Sequence, residues 1–231
     1  MTSAIIVAAG KGARMGANID KLFQELVDRP VVAHTWQRFN DAPCIDEIIL
    51  VVRDGMHDVF AEIAAKFEFK KNFRIAIGGK ERQDSVWNGL AQLSANADIV
   101  AIQDGARPFT SERVIEATIA AAREMGAAVA AQRVTDTIKE SKNGETISRH
   151  LERKELWAVQ TPQIFRVEVI RRALAAVREK NLHVTDDTAA CELIGQSVKL
   201  VESTSLNPKV TVPEDLPYLE SLLKRSASRN S

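Results

Sequence analysis

The chain is poor in the side chains that build cross-linked, metal-clustered or membrane-spanning proteins. Its 231 residues include two cysteines, Cys44 and Cys191, with no C-x-x-C pair and no zinc-ligand spacing. A disulfide scaffold and a structural zinc site therefore have no support, and both thiols read as small buried side chains of a reducing cytosol. Neither sign of charge is in excess, since Lys+Arg and Asp+Glu both number 31. That speaks against a general nucleic-acid or acidic-membrane binder, which carries a basic surplus, and leaves room for a local cluster of cations. No apolar run approaches the roughly 18 residues of a membrane span, and no basic leader precedes the first strand-like segment; a soluble, cytoplasmic protein is expected. Aromatic residues make up 5%, so Trp36, Trp87 and Trp157 read as packing anchors rather than a stacking platform. His34, His57, His150 and His183 form no ligand pairs, and no H-E-x-x-H, nucleophile elbow or Ser-His-Asp pattern is present. Zinc hydrolysis and covalent catalysis thus have no footing.

What is present is concentrated in residues 4–21. Ile5, Ile6 and Val7 read as a buried strand that opens into a loop containing Gly10, Gly12 and Gly16, with Arg14 inside it and Lys21 just beyond. Glycines let backbone N–H groups approach an anion, and two nearby cations neutralise a polyphosphate. The segment is not a P-loop, because Gly10-Lys11 and Gly79-Lys80 lack the G-x-x-x-x-G-K-[ST] frame. Nor is it a dinucleotide fingerprint, whose third glycine would fall one residue before Gly16. The run ending Leu50 to Asp54 supplies no clear ribose acid either.

Strand-like and helix-like segments alternate through the first 130 residues. Strands are expected at 45–52, 73–77, 98–102 and 127–131, and helices at 56–67, 81–93 and 112–125. Strands this apolar, separated by helices, make a mostly parallel sheet covered on both faces, with ligands bound beyond the strands' carboxyl ends. Three polar loops fall at those ends: 10–21, 78–85 and 103–108. Between about 133 and 155 the rhythm changes. Lys142-Asn143-Gly144 lies between β-rich arms at 135–139 and 145–148, a hairpin signal. The hairpin is too polar for a core of its own; a second subunit could cover it, and a surface excursion satisfies the pattern equally. Helices at 167–178 and 187–194, a strand at 198–201 and a terminal helix opening at Pro213 complete one domain, with the last residues frayed.

Asp104 follows the fourth strand, in Gln103-Asp104-Gly105-Ala106-Arg107-Pro108. A lone carboxylate there suits Mg²⁺, which takes one or two carboxylates together with water and substrate phosphates. Arg107 beside it serves the same anion. The loop Gly78-Gly79-Lys80-Glu81-Arg82-Gln83-Asp84-Ser85 offers exposed backbone at a helix start. A base could be read there through main-chain amides and the Ser85 hydroxyl, or Arg82 and Ser85 could be plain helix-surface residues.

Together these segments resemble the 2-C-methyl-D-erythritol 4-phosphate cytidylyltransferase family. The likeness rests on A-A-G-K-G-A-R-M at Ala8 to Met15, G-G-K-E-R-Q-D-S-V at Gly78 to Val86 and D-G-A-R-P at Asp104 to Pro108. It continues in D-T-I-K at Asp136 to Lys139, L-W-A-V-Q-T-P-Q at Leu156 to Gln163, T-D-D at Thr185 to Asp187 and N-P-K-V-T at Asn207 to Thr211. The resemblance implies a Rossmann-like nucleotidyltransferase fold with a protruding β-hairpin arm that clasps a partner in a homodimer. It implies transfer of CMP from CTP to methylerythritol 4-phosphate with release of pyrophosphate, assisted by Mg²⁺ or another divalent cation. The alternative, a ribitol-5-phosphate cytidylyltransferase, shares the CTP motifs, and the Leu156 to Gln160 run favours the first. A catalytically inert nucleotide sensor would not need Arg14, Lys21 and Asp104 together. From its length, no fused second enzyme is expected.

Residue by residue, the resemblance assigns catalysis to Arg14, Lys21, Asp104 and Lys209, with Asp104 as metal ligand. It assigns CTP binding to Ala8, Ala9, Gly10, Gly12, Gly79, Ser85 and Ala106. The polyol phosphate falls to Arg107, Thr137, Arg153, Thr161 and Lys209, with Thr137 and Arg153 reaching the neighbouring subunit's site. One departure stands out: the family usually has proline before the lysine, where this chain has Asp20-Lys21. A carboxylate beside a phosphate-binding lysine, without proline's φ restraint, implies a looser loop and weaker CTP binding.

Overall fold

The computed structural model describes residues 1–10 and 20–227. The chain order is β1 (Thr2–Val7), β2 (Glu25–Leu26), β3 (Arg29–Pro30), α1 (Val31–Asp41), β4 (Glu47–Val52), α2 (His57–Lys66), β5 (Phe73–Ile77), α3 (Arg82–Leu90), β6 (Ile99–Asp104) and α4 (Glu112–Met125). It continues with β7 (Ala127–Arg133), β8 (Lys139–Glu140), β9 (Arg149–His150), a 3₁₀ turn at Arg153–Glu155, β10 (Trp157–Arg166), α5 (Val167–Glu179), α6 (Asp187–Glu192), β11 (Lys199–Glu202) and α7 (Asp215–Ala227). Seven strands form one sheet in the order β11-β7-β10-β6-β1-β4-β5. All neighbouring pairs are parallel except those of β10, which runs antiparallel to both β6 and β7. The expected α/β fold with a mostly parallel sheet is the one observed.

The period of two along each strand sorts side chains into two cores. Ala4 and Ile6 of β1, with Ile48, Leu50 and Val52 of β4, face a layer that includes Trp36, Phe39, Phe60 and Ile115. Ile5, Ile49 and Val51, with Val100 and Ile102 of β6, face Val86 and Leu90 of α3 and Ile170, Leu174 and Val177 of α5. Because both faces are covered, the strands must be apolar at every position, which is why they read so clearly in the sequence. Trp36 is fully buried beside Phe69 and Phe73, whereas Trp157 lies under the Arg133 guanidinium at 4.4 Å. His34 bonds the Leu26 carbonyl (2.7 Å), a structural role. Ser111 caps α4 by accepting from the Val114 N–H, and Gly126 ends that helix at φ +88°, a conformation only glycine adopts without strain.

Two expectations need adjustment, and one segment without an expected structure proves to be a strand. First, β6 extends two residues further than the apolar run, so Asp104 is a strand residue: it stays in register with Val7 of β1, and its N–H is donated to the Thr161 hydroxyl (3.2 Å). Second, 157–166 form a long strand that polar residues disguise in the sequence. Gln160 and Gln163 are buried but satisfied, by Gln132 (3.0 Å) and Asp186 (3.0 Å). Thr161-Pro162, a cis peptide, marks a register shift within it. Third, the hairpin pairs Lys139 with His150 and Glu140 with Arg149, not 145–148 with 135–139. The Asn143 carboxamide oxygen accepts from the N–H groups of Glu145 and Thr146, both at 3.0 Å, which diverts those residues from the ladder into a loop. The reading of frayed last residues falls partly on 228–231, outside the described residues.

Glu47 opens β4 with 5% exposure and stitches three segments. Its carboxylate accepts from Ser3 Oγ (2.7 Å), Ser94 N (3.0 Å) and Ser94 Oγ (2.7 Å), and lies 3.2 Å from Arg74. Burial opposes its charge, but the hydrogen bonds from Ser94 and Ser3 and the Arg74 cation outweigh burial and hold the carboxyl below its ordinary value. Glu47→Gln is therefore expected to lose about 1–3 kcal/mol at neutral pH, read by urea denaturation. A depressed folded-state pKa stabilises above the unfolded value and ceases to do so as pH falls. The gap between variant and parent should accordingly close below pH 4.5, the ordinary value for this carboxyl.

Candidate active site

The loops after β1 and β5 and the end of β6 meet, as the topology requires, around a cleft of about 800 Å³. Ala9, Gly10, Gly78, Gly79, Ser85, Asp104 and Ala106 line it, with Lys21, Arg53, Arg82 and Lys209 supplying positive charge. The backbone can approach a ligand here because two glycines are sterically required. A Cβ on Gly78 would stand 2.3 Å from the Ala9 Cβ, and one on Gly79 would stand 2.2 Å from the Asp84 Cβ. The loop is held by Ser85, whose hydroxyl accepts from the Gly79 N–H (3.0 Å) and donates to the Glu81 carbonyl (3.2 Å). Ser85 is 3% exposed, so its first task is to shape this loop. Ala8 lies beneath the cleft with its side chain in the core and its N–H donated to the Val51 carbonyl (2.7 Å).

Charge is concentrated at the β6 end. Asp104 Oδ2 accepts from Lys209 Nζ at 2.6 Å, its Oδ1 lies 3.5 Å from Arg82 Nε, and Arg107 Nε approaches Oδ2 at 3.7 Å. The other arm of Arg82 donates to Asp187 Oδ2 at 2.7 Å, and Asp187 is 1% exposed. Burial by itself would raise the Asp104 pKa. Arg82, Lys209 and Arg107 more than reverse this and keep the carboxyl well below the usual carboxylate range. Burial likewise works against the Arg82 charge, and the two aspartates outweigh it, leaving the guanidinium firmly protonated. Three cations thus face two carboxylates, an arrangement with residual affinity for an anion. Lys21 Nζ donates to the Val210 carbonyl (3.1 Å), and Val210 N–H to the Ala106 carbonyl (2.9 Å). The 207–210 segment therefore seats both lysines against the β6 end.

Neighbouring side chains brace this wall. Asn207 donates to the Thr161 carbonyl (2.7 Å) and accepts from the Thr110 hydroxyl (3.1 Å), while its carbonyl takes Arg107 Nη1 (2.7 Å). Arg107 Nε is buried, makes no hydrogen bond and lies 3.7 Å from Asp104 Oδ2, so its charge is spent on that carboxylate at the back of the wall.

Of the residues assigned from the sequence, Ala9, Gly10, Lys21, Gly79, Ser85, Asp104, Ala106 and Lys209 line the cleft. Thr161 and Arg107 stand directly behind Asp104. Arg14 and Gly12 lie outside the described residues. Thr137 and Arg153 are exposed on the arm and do not line this cleft; Arg153 Nη1 donates to the Thr135 carbonyl (2.8 Å) across the base of the hairpin. Arg82 is a site residue rather than a plain helix-surface one, and Asp187 and Arg53 escaped notice as charged partners. Position in the first turn of a helix at the sheet's carboxyl end was the available signal for Arg82. Asp187 and Arg53 are recognisable only in three dimensions. Cys191 is no nucleophile, since burial first and the nearby Asp187 and Asp186 next push its thiol up to about 12. Among the described residues no group of three His, Cys, Asp or Glu could enclose a metal, and no helix is long and apolar enough to cross a membrane.

The cleft has cations, the carboxylates of Asp54, Glu81 and Asp104, and glycine-lined backbone, but no activated nucleophile. That equipment suits transfer between phosphates, which needs positioning and charge neutralisation. Comparisons with known proteins agree. The family model for 2-C-methyl-D-erythritol 4-phosphate cytidylyltransferase matches residues 2–225. A protein of that name from Clostridioides difficile is 46% identical over 224 residues, covering 96% of this chain and 94% of its own. The crystal structure of 4-diphosphocytidyl-2C-methyl-D-erythritol synthase from Anaerococcus prevotii superposes with a TM-score of 0.86 at 32% identity, covering 96% of both chains. That of 2-C-methyl-D-erythritol 4-phosphate cytidylyltransferase from Thermus thermophilus gives 0.79 at 29% identity, covering 97% of this chain and all of the other. The chain belongs to the 2-C-methyl-D-erythritol 4-phosphate cytidylyltransferase family.

Proposed function

We propose that this protein transfers the CMP moiety of CTP to 2-C-methyl-D-erythritol 4-phosphate in isoprenoid precursor biosynthesis, in the cytoplasm. An oxygen of the polyol phosphate attacks the α-phosphorus of CTP in line. The bond to the β-phosphate bridging oxygen breaks and pyrophosphate leaves with that electron pair, giving 4-diphosphocytidyl-2-C-methyl-D-erythritol. The observation that carries this reading is the nucleophile-free, cation-rich cleft within a chain that matches the family from residue 2 to residue 225.

The roles are those the family resemblance assigns. Ala8, Ala9, Gly10, Gly12, Gly79, Ser85 and Ala106 form the CTP side; Ala9, Gly10, Gly79, Ser85 and Ala106 among them line the cleft. Lys21, with Arg14, stabilises negative charge on the α-phosphate and the departing pyrophosphate. Lys209, which lines the cleft, receives the polyol phosphate together with Arg107 and Thr161 beside Asp104. Asp104 is a fitting single-carboxylate ligand for Mg²⁺ or a similar cation, because it is held ionised at the cleft wall. Such a cation, when bound, supplies charge neutralisation on the triphosphate. The chain acts as one catalytic unit whose arm, at about 133–155, packs on a second copy. Exposed Ile147 (68%) on that arm, with Thr137 and Arg153 remote from their own cleft, supports a homodimer with shared sites.

Pyrophosphate release from CTP should require methylerythritol 4-phosphate; release with ribitol 5-phosphate alone would assign the other substrate. Lys21→Ala and Asp104→Asn should each lower turnover by about 10²–10³-fold, the cost of losing one preorganised charge contact. Lys21→Ala should leave the melting temperature unchanged, whereas Asp104→Asn should lower it, because Arg82, Arg107 and Lys209 lose their shared carboxylate. Asp104→Asn should also raise the Mg²⁺ concentration needed for half-maximal rate. Sharing of sites has its own test: mixing inactive Lys21→Ala and Arg153→Ala homodimers should restore activity, because one site of each mixed dimer is then intact. Two variants that stay silent after subunit exchange would leave each site within one chain.

A further inference from the structure

The Asp20 carboxylate lies beside Lys21 in the chain, yet it is not left to compete for that lysine. Arg53, the first residue after β4, donates through Nη2 to Asp20 Oδ2, and the two side chains are 25% and 23% exposed. The same guanidinium reaches the Gly10 carbonyl through Nη1 at 3.4 Å. One side chain therefore touches Gly10 and Asp20, the residues that flank 11–19 on either side. Asp20 is itself fixed: its Oδ1 accepts from the Leu22 N–H (3.2 Å), and its carbonyl from the Phe23 N–H (3.0 Å). Arg53 and Lys21 both line the cleft.

We propose that Arg53 is a positioning residue for the triphosphate side of the cleft, acting through Asp20. By pairing with Asp20 it cancels a negative charge next to Lys21 and anchors the turn from which Lys21 projects. The expected penalty of an acid at position 20 is thereby offset from a different loop. A carboxylate freed of Arg53 would compete with the nucleotide for Lys21 and repel its phosphates. This rests on the reading that the cleft binds CTP.

The test is a double-mutant cycle on the full chain, with Arg53→Ala, Asp20→Ala and the double variant compared for the KM of each substrate, kcat and melting temperature. Arg53→Ala should raise the CTP KM about three- to fivefold, the scale of a partly exposed ion pair, with the methylerythritol 4-phosphate KM and melting temperature unmoved. Asp20→Ala should leave the CTP KM within about twofold, and the double variant should return close to it, since the pair couples. Arg53→Lys, which keeps the charge, should recover most of the loss. A double variant as impaired as Arg53→Ala would make Arg53 a direct phosphate ligand and overturn the proposal. So would an unaffected Arg53→Ala, or equal effects on both substrates with a lowered melting temperature. Wild-type protein run in parallel separates the two questions: its failure to turn over CTP would instead remove the CTP reading.

Discussion

Burying an ionised carboxylate at the end of a β-strand is costly unless something of opposite charge meets it, and at Asp104 three groups do. Arg82 comes from the first turn of α3, Arg107 from the loop after β6 and Lys209 from the segment after β11. Asp187, at the start of α6, holds the far side of Arg82. Four separate stretches of chain are thus bound to one point by charge. Such a cluster contributes little net stability compared with apolar packing, because each member gives up hydration. Its consequence is geometric. Arg82 and Lys209 are held at the cleft by a carboxylate instead of folding onto the surface, and loss of any member leaves a buried charge without its partner. Preorganised charge of this kind is what phosphoryl chemistry draws on, because no dipoles need to rotate as the transition state forms.

The scaffold explains why those stretches arrive together. Parallel strands send all their carboxyl-terminal loops to one edge, so β1, β4, β5 and β6 deliver Ala9 and Gly10, Arg53, Gly78-Gly79 and Asp104 to a common rim. The antiparallel β10 adds something the parallel strands cannot: residues entering from the opposite direction. Its Thr161 reaches the Asp104 backbone and, through Asn207, the Arg107 wall. The site is consequently built from strand ends of both polarities, with the polar interior of β10 satisfied bond by bond and not exposed to water.

The central strands were legible because fully buried strands must be apolar at every residue, as in Glu47–Val52 after its first position; the helix Glu112–Met125 was read to the residue from its helical apolar spacing and its closing Gly126. β10 was not, because Gln160, Thr161 and Gln163 look like loop residues until their partners on β7, α6 and the 207 segment are known. Within the site, residues that bear their chemistry in local pattern were visible: glycines after a strand, Asp104 in Asp-Gly-Ala-Arg, Lys21 after the loop. Arg82, Asp187 and Arg53 depend on contacts across 22, 105 and 33 positions of sequence. No window on one chain reports such pairs, and an arginine in the first turn of a helix looks the same whether it meets water or a buried acid.

The Asn143 hairpin illustrates the reverse case, where a correct local signal gave the wrong register. Asn-Gly does reverse the chain, and Gly144 takes the positive φ (+76°) that such turns need. But a short polar side chain can serve backbone donors as well as a strand can. Asn143 satisfies two amides that a ladder would otherwise have claimed, so pairing begins only at Glu140 and Arg149. The arm that results is held by two residue pairs, backbone bonds from Ser148 N–H to Glu140 (2.7 Å) and Leu151 N–H to Ile138 (3.4 Å), an Arg149–Glu140 ion pair (2.8 Å), a Lys139–His150 contact (2.8 Å) and the Arg153 bond to Thr135. A two-stranded element with so few internal ties and an exposed isoleucine has little reason to persist in isolation. Thr137 and Arg153 stand on this exposed arm and do not line their own chain's cleft, which is the property that the proposed homodimer accounts for.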